Sequence, residues 1–329
     1  MRLADDFVAC RVPATSANLG PGFDSMGLAL DLWDEVSVHA TVGPTSVVVE
    51  GEGAGQVDEG EKNLIVTTLR LALDRLGAPQ VGIRMHCHNR IPHSRGLGSS
   101  AAAIVAGLVL ARALIGEEEV LGPKDVLDIG TELEGHPDNI APAIFGGATV
   151  AWMEGNTAGA LRLTPPAQIS PVAFIPDFEL ATEKARSALP ELIAHGDARY
   201  NISRAALLSA LLSGAYEARG GESLHDLLMD ATGDRLHQEQ RRATMESSLA
   251  LVDWLRAGGM PAVVSGAGPT VLSLEKVSPS LKRDAEGAGC SFAPGRRPRG
   301  SDHPRRPCRP SQHAGLNLHL VGLFSAPPL

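Results

Sequence analysis

A glycine-bounded turn, Gly96-Leu97-Gly98-Ser99-Ser100, runs directly into an alanine-rich apolar stretch over residues 101–115. Two closely spaced glycines let the backbone turn its N–H groups inward, and a helix start leaves several such groups unpaired with the positive end of the dipole behind them. The chemistry that suits this place is phosphate binding. An ordinary glycine turn before a buried helix has the same composition, so the turn taken alone leaves both readings open. Two further loops share its character, Pro13-Ala14-Thr15-Ser16-Ala17-Asn18-Leu19-Gly20-Pro21-Gly22-Phe23-Asp24 and Ser265-Gly266-Ala267-Gly268-Pro269. Each adjoins a stretch with strand character, the arrangement by which rigid elements present functional loops. There is no G-x-x-x-x-G-K-[ST], and no G-x-G-x-x-G follows the first strand, so phosphate would rest on backbone N–H groups and a metal ion.

These loops need elements to hold them. Alternation and β-branched content predict strands over 8–12, 28–40, 46–50 and 81–88. Asn63 is placed to cap a helix reaching residue 76, with Gly77 ending it. Along 81–88 one face carries Val81, Ile83, Met85 and Cys87 and the other Arg84, His86 and His88, so the histidines read as a solvated strand face rather than half of a metal site. That strand delivers the chain to the glycine turn. A second helix is expected over 124–134, followed by Glu134-Gly135-His136-Pro137-Asp138-Asn139 and a strand over 148–153. A composition shift near residue 155 separates an N-terminal lobe, 1–155, from a C-terminal lobe, 156–275. The second lobe has helices expected over 200–212, 223–231 and 245–257 and strands over 172–175, 262–264 and 270–274. Residues 276–329 read as an atypical basic Pro/Gly/Arg-rich tail, disordered or aberrant, whose run 316–324 would dock on the body or stay exposed.

Composition narrows the partners. With 329 residues, 43% hydrophobic and 20% charged, the chain suits one large domain or two medium ones. A net charge of −9 argues against a nucleic-acid binder, which needs a basic face. The apolar stretch 101–115 contains Arg112 and is too short to span a bilayer, so no membrane partner is expected. Cys10, Cys87, Cys290 and Cys308 form no C-x-x-C pair, which fits reduced thiols in the cytoplasm. A small-molecule substrate is the expectation.

The three loops, with Pro92-x-x-x-Gly96-Leu97-Gly98-Ser99-Ser100-Ala101-Ala102 as the second, resemble the three motifs of the GHMP small-molecule kinases, in order over residues 8–274. The first loop together with Glu134-Gly135-His136-Pro137-Asp138-Asn139 is most similar to the homoserine kinase branch. The resemblance implies a two-lobe α+β fold, with an N-terminal lobe like ribosomal protein S5 domain 2 and a ferredoxin-like C-terminal lobe. It implies ATP- and Mg²⁺-dependent phosphorylation of the side-chain hydroxyl of L-homoserine, with the assembly open between monomer and homodimer. By the same resemblance Pro92, His93, Ser94, Arg95, Gly96, Leu97, Gly98, Ser99, Ser100, Ala101 and Ala102 would cradle the triphosphate. Mg²⁺ would be held by Ser99 or Ser100 and by a glutamate, with Glu134 preferred over Glu132. Hard Mg²⁺ takes such oxygen ligands.

For the amino acid, Asn18 and Asp24 would serve the ammonium, Asn139 the hydroxyl and Arg186 and Arg241 the carboxylate, with His136 and Gly266 alongside. Arg186 stands in an Ala-Arg-x-x-Leu-Pro element. Arg241 ends Leu236-His237-Gln238-Glu239-Gln240-Arg241, which departs from the usual Leu-His-Gln-Pro-Tyr-Arg, so Arg242 is a fallback. Asn139 cannot act as a base, so the catalytic set expected is Asn139, Ser99 and Glu134, with Asp138 as the alternative proton acceptor. Two competing readings are another GHMP kinase with a different small hydroxylated substrate, and a catalytically weak nucleotide-binding protein, the latter motivated by the tail.

Overall fold

The computed structural model describes residues 2–117, 120–278, 280–281 and 316–319. The first sheet is built from β1 (Phe7–Ala17), β2 (Met26–Thr41), β3 (Ser46–Gly51), β4 (Gly82–Asn89), β5 (Ala148–Glu154) and β6 (Thr157–Leu163). Its order is β3-β4-β2-β5-β6, with β1 antiparallel along β2 and β3 parallel to β4. The helices α1 (Leu64–Arg75), α2 (Ser99–Ile115), α3 (Pro123–Glu134) and α4 (Pro137–Phe145) belong with this sheet. Alternation along β4 buries Ile83, Met85 and Cys87 as the sequence requires. Asn63 caps α1 by accepting from the Ile65 N–H at 3.0 Å.

The first strand is longer than its expected five residues. It continues through Pro13 to Ala17, and its register on β2 shifts between Pro13 and Ala14. A proline has no N–H to give a ladder and is accommodated at such an irregularity. Half of the first loop motif is therefore strand, which fixes Thr15 and Ser16 where a loop would leave them loose. The break expected near residue 155 falls in the tight turn between β5 and β6, which pair from Ala148↔Leu163 to Glu154↔Thr157. β6 thus stays with the first sheet.

α2 passes through the middle of the first core. Its Ala101, Ala102, Ile104, Val105, Leu108 and Ala111 are all buried. A Cβ on Gly107 would come within 2.8 Å of the Ile65 carbonyl oxygen, so α1 and α2 approach closer than any larger residue allows. That close approach explains the glycine at position 107.

The second sheet runs β10-β7-β9-β8, with β7 (Val172–Pro176), β8 (Ala262–Val264), β9 (Val271–Ser273) and β10 (Leu316–His319). Val172, Phe174, Val264 and Val271 face a cluster with Leu249, Val252 and Leu255 of α8 (Glu246–Ala257). Ala173, Ile175, Val263 and Leu272 join the larger core, which also holds Leu208 and Leu211 of α6 (His195–Ser213) and Leu228 of α7 (Leu224–Ala231). A five-residue helix, α5 (Thr182–Arg186), and a 3-10 turn over Glu239–Thr244 complete the described lobe.

The tail reading is amended at Val277, and of its two alternatives for the run 316–324 the docked one describes Leu316–His319. Val277 is 5% exposed and packs in the second core. Leu316–His319 pairs antiparallel with β7, Leu316↔Pro176 to His319↔Ala173, and so covers what would be the edge of that strand. The rest of the tail reading, including Cys290 and Cys308, lies outside the described residues.

Candidate active site

The three loops meet. The Thr15 N–H donates to the Leu97 carbonyl at 3.0 Å, the Gly266 N–H to the Ala17 carbonyl at 3.0 Å and the Thr270 N–H to the Arg95 carbonyl at 3.3 Å. Ser265 Oγ sits 2.6 Å from the Gly96 carbonyl oxygen and 2.8 Å from Ser16 Oγ, so one hydroxyl touches the other two loops at once. Gly98, at φ 68°, ends the turn as the residue before α2, and no side chain caps the helix. The first-turn N–H groups of this 17-residue helix therefore point into the space the loops enclose. A Cβ on Gly98 would lie 2.0 Å from Thr15 Oγ1. Close approach as well as backbone conformation requires glycine there.

The space has two parts. One, of ≈ 400 Å³, is lined by Val49, Val57, Leu64, Ile65, His93 and Ala103 among others. The other, of ≈ 150 Å³, reaches from Gly96 and Gly98 to Asp24, Asn139, Arg186 and Arg241. Ser94, Ser99 and Ser100 line both.

At the junction Ser100 Oγ donates to Glu134 Oε2 at 2.8 Å. Desolvation pushes the Glu134 carboxyl above the usual carboxylate range, with the serine hydrogen bond opposing it. Glu132, two residues earlier and so on another face of α3, pairs with Arg75 at 2.8 Å on the exposed side. The structure therefore brings Glu134 to the cavity and takes Glu132 away from it. Of the two serines, Ser100 is the one in contact with Glu134. A short turn from α3 into α4 sets Asn139 close by, where its Oδ1 accepts from Thr15 Oγ1 at 2.8 Å. That bond fixes the amide orientation and leaves its NH₂ as the group offered to a ligand. Asp138 is buried, and its Oδ1 is 2.9 Å from His136 Nδ1. The hydrogen bond to Asp138 raises the His136 pKa above the ordinary histidine value, against desolvation.

The far end of the smaller cavity is ionic. Arg186, at the end of α5, grips Asp24 with both terminal nitrogens, at 2.6 and 3.1 Å. Asp24 stands at φ 55° and Asn18 at φ 68°, left-handed conformations that Asp and Asn tolerate best among side-chain-bearing residues. Asn18 explains how this turn is held: its Oδ1 accepts the Asp24 N–H at 2.9 Å and its Nδ2 donates to the Gly266 carbonyl at 2.9 Å. Arg241 is 1% exposed and donates to the carbonyls of Ala185 and Gly266 at 3.2 and 3.3 Å and to His237 Nδ1 at 3.3 Å. Burial, and then the neighbouring Arg186 cation, lower its pKa to about 10. Both guanidinium carbons lie 5.5 Å from the Phe23 ring centre. The fallback, Arg242, pairs outside with Glu239 and Asp253.

Several assignments shift. Arg95 does not face the cavity: its guanidinium donates to the carbonyls of Pro176, His93 and Asp177 at 2.9, 2.9 and 2.8 Å. It fastens the turn to the second lobe by giving a donor to two carbonyls at and beside the end of β7, with the third, of His93, in the turn itself. Pro92, Leu97, Ala101 and Ala102 are buried, so they shape the turn through backbone and packing. His93 faces the larger cavity. Sequence reasoning did not single out Thr15, Phe23 or His237. His237 is 1% exposed, with Nε2 at 2.6 Å from the Gly20 carbonyl oxygen, and burial lowers its pKa. It is neutral, donating to Gly20 and accepting from Arg241. The signal available was the Leu-His-Gln element itself, whose histidine had been passed over for its arginine.

The profile described as GHMP kinases N terminal domain matches residues 63–147. The chain is 48% identical over 290 residues to a homoserine kinase of Streptomyces coelicolor, covering 88% of this chain and 91% of that one. It is 50% identical over 268 residues to a homoserine kinase of Streptomyces avermitilis, covering 81% and 85%. The crystal structure of homoserine kinase from Cytophaga hutchinsonii superposes with a TM-score of 0.73 at 26% identity, covering 87% of this chain and 90% of that one.

Proposed function

This chain belongs to the homoserine kinase family of the GHMP kinases, and on that premise we propose how its own residues divide the work. The reaction moves the γ-phosphoryl group of ATP to the side-chain hydroxyl of L-homoserine, giving O-phospho-L-homoserine and ADP on the route to threonine. The observation that carries the assignment is that one cavity joins an uncapped helix N-terminus to an end holding two guanidinium groups and a carboxylate. Phosphate suits the first and an α-amino acid the second.

ATP lies across both parts. The apolar walls of the larger cavity, Val49, Val57, Leu64 and Ile65, take the base, and the shared edge at Ser94, Ser99 and Ser100 takes the phosphates against the N–H groups of α2. Glu134 and Ser100 are hard oxygen donors in contact with each other, and a half-buried carboxyl pushed above its usual range gains most from a cation beside it. They fit Mg²⁺, which when bound neutralises charge on the phosphate oxygens, with Ser99 as the adjoining hydroxyl. Homoserine places its carboxylate on Arg186 and Arg241, and its ammonium on Asp24, which Asn18 positions.

The Asn139 NH₂ orients the substrate hydroxyl. As the oxygen of that hydroxyl bonds to the γ-phosphorus, ADP leaves and the hydroxyl proton passes late to the transferred phosphoryl group. A loose transition state asks for no side-chain base. Asp138 is occupied by His136 and serves as that residue's counter-ion.

ADP release measured with homoserine, mevalonate, galactose and no acceptor tests the reading. Turnover dependent on homoserine is expected. Preference for another acceptor, or ATP binding without turnover, would overturn it.

A further inference from the structure

The two groups assigned to the opposite charges of homoserine pair with each other. Asp24 Oδ1 and Oδ2 both pair with Arg186, at 2.6 and 3.1 Å, which engages both carboxylate oxygens and both terminal guanidinium nitrogens. The pair is about one-third exposed on each side, so a ligand in the cavity can reach it. Arg241 cannot take over the carboxylate alone. It is 1% exposed, and its Nε and Nη1 already donate to two carbonyls and His237.

We propose that the Asp24–Arg186 ion pair is a specificity device, an internal latch that only a zwitterion exchanges without loss. An amino acid separates the pair and gives each half a new partner, ammonium to Asp24 and carboxylate to Arg186, so one bidentate pair becomes two ion pairs. A ligand with the carboxylate alone must take Arg186 from Asp24 and leave that carboxylate unpaired beside a second negative charge. A ligand with the ammonium alone strands Arg186 beside Arg241, a like charge already felt in the lowered Arg241 pKa. Specificity here is a penalty against the wrong ligand as much as an attraction for the right one. Two independent subsites would simply lose one contact for each missing group. The latch makes the loss larger, and makes it reversible by removing the competing half.

This inference rests on the proposed placement of homoserine, and the experiment separates the two. kcat/KM is measured for the full-length enzyme with L-homoserine, with 4-hydroxybutanoate, which lacks the ammonium, and with 3-aminopropan-1-ol, which lacks the carboxylate. The proteins are wild type, Asp24→Asn and Arg186→Gln. Asparagine is tolerated at the left-handed φ of residue 24, and unchanged ATP affinity reports that each variant is folded. Both variants should lose at least about tenfold on homoserine, since each removes a charged partner. Asp24→Asn should gain about tenfold over wild type on 4-hydroxybutanoate, and Arg186→Gln a similar factor on 3-aminopropan-1-ol, because the competing partner has gone. Variants that lose homoserine and show neither gain overturn the latch and leave the placement standing. Variants that keep wild-type kcat/KM for homoserine overturn the placement, and the latch with it.

Discussion

The two ends of the smaller cavity solve opposite problems. At the end proposed for phosphate the binding groups are backbone N–H groups at an uncapped helix start, with no acidic residue in the first turn of α2. At the amino-acid end every charge has an internal answer: Asp24 with Arg186, and Arg241 with two carbonyls and a neutral His237. A backbone cradle needs no counter-charge, because dipoles cost little to leave facing solvent. Formal charges at a half-buried site do need one. The end proposed for phosphate thus presents unpaired backbone dipoles, and the end proposed for the amino acid pairs its charges internally.

The sharpest break in that contrast is Gly98→Ala. Its Cβ would fall 2.0 Å from Thr15 Oγ1 in a backbone conformation that alanine resists, so the turn must move. We expect kcat/KM for homoserine to fall about 10³-fold, the scale of a displaced phosphate cradle, with ATP affinity lost in parallel by calorimetry. Arg241→Met acts only at the other end. KM for homoserine should rise about 10²-fold while ATP affinity holds, as expected for losing a charged hydrogen-bond donor. Equal losses of both affinities would show that the two ends are not separable.

Asn139→Ala lies between the ends and should lower kcat about tenfold while leaving both binding constants near their starting values. If it kept full kcat while Asp138→Asn abolished turnover, Asp138 would be the proton acceptor and the base-free route would be wrong.

Glu134→Gln gives the smallest effect on the free protein. The folded carboxyl holds its proton to higher pH than an unfolded glutamate, so its ionisation works against folding as pH rises through that raised value. The free variant should therefore melt at or slightly above the wild-type temperature at pH 8, while Mg²⁺-dependent stabilisation by ATP disappears. A clear drop in melting temperature without ligand would mean that Glu134 is a structural residue.

Much of this was legible because it is local. Asn63 as a cap, the buried alternation of β4, and the strand, turn and helix around Gly96–Ser100 depend on neighbours in sequence. The choice between Glu132 and Glu134 was not local, since both are reasonable helix residues. Their placement depends on Arg75, which lies 57 positions from Glu132 and pairs with it on the exposed side, while Glu134 lines the smaller cavity. Arg95 misled for the same reason: a cation in a phosphate turn suggests a phosphate ligand until the carbonyls near the end of β7 are seen. Arg241 went the other way. Of the altered residues before it, Glu239 is exposed and Gln240 partly buried, and the arginine itself is buried. The larger cavity had no sequence signal, because Val49, Val57, Ile65 and Ala103 come together only through β3, the segment before α1, and the two helices. β10 lies in the run 316–324 that the sequence offered as able to dock, but its partner strand, β7, is distant in sequence and left no local signal.

Arg95 also bears on how the glycine turn keeps its place. A guanidinium that binds three carbonyls acts as a rivet between the glycine turn and the start of the second lobe, and the Leu180 N–H adds a second fastening to the Ser94 carbonyl at 2.9 Å. A turn fastened at both points moves with the segment it is tied to, so the glycine turn and residues 176–180 form one piece.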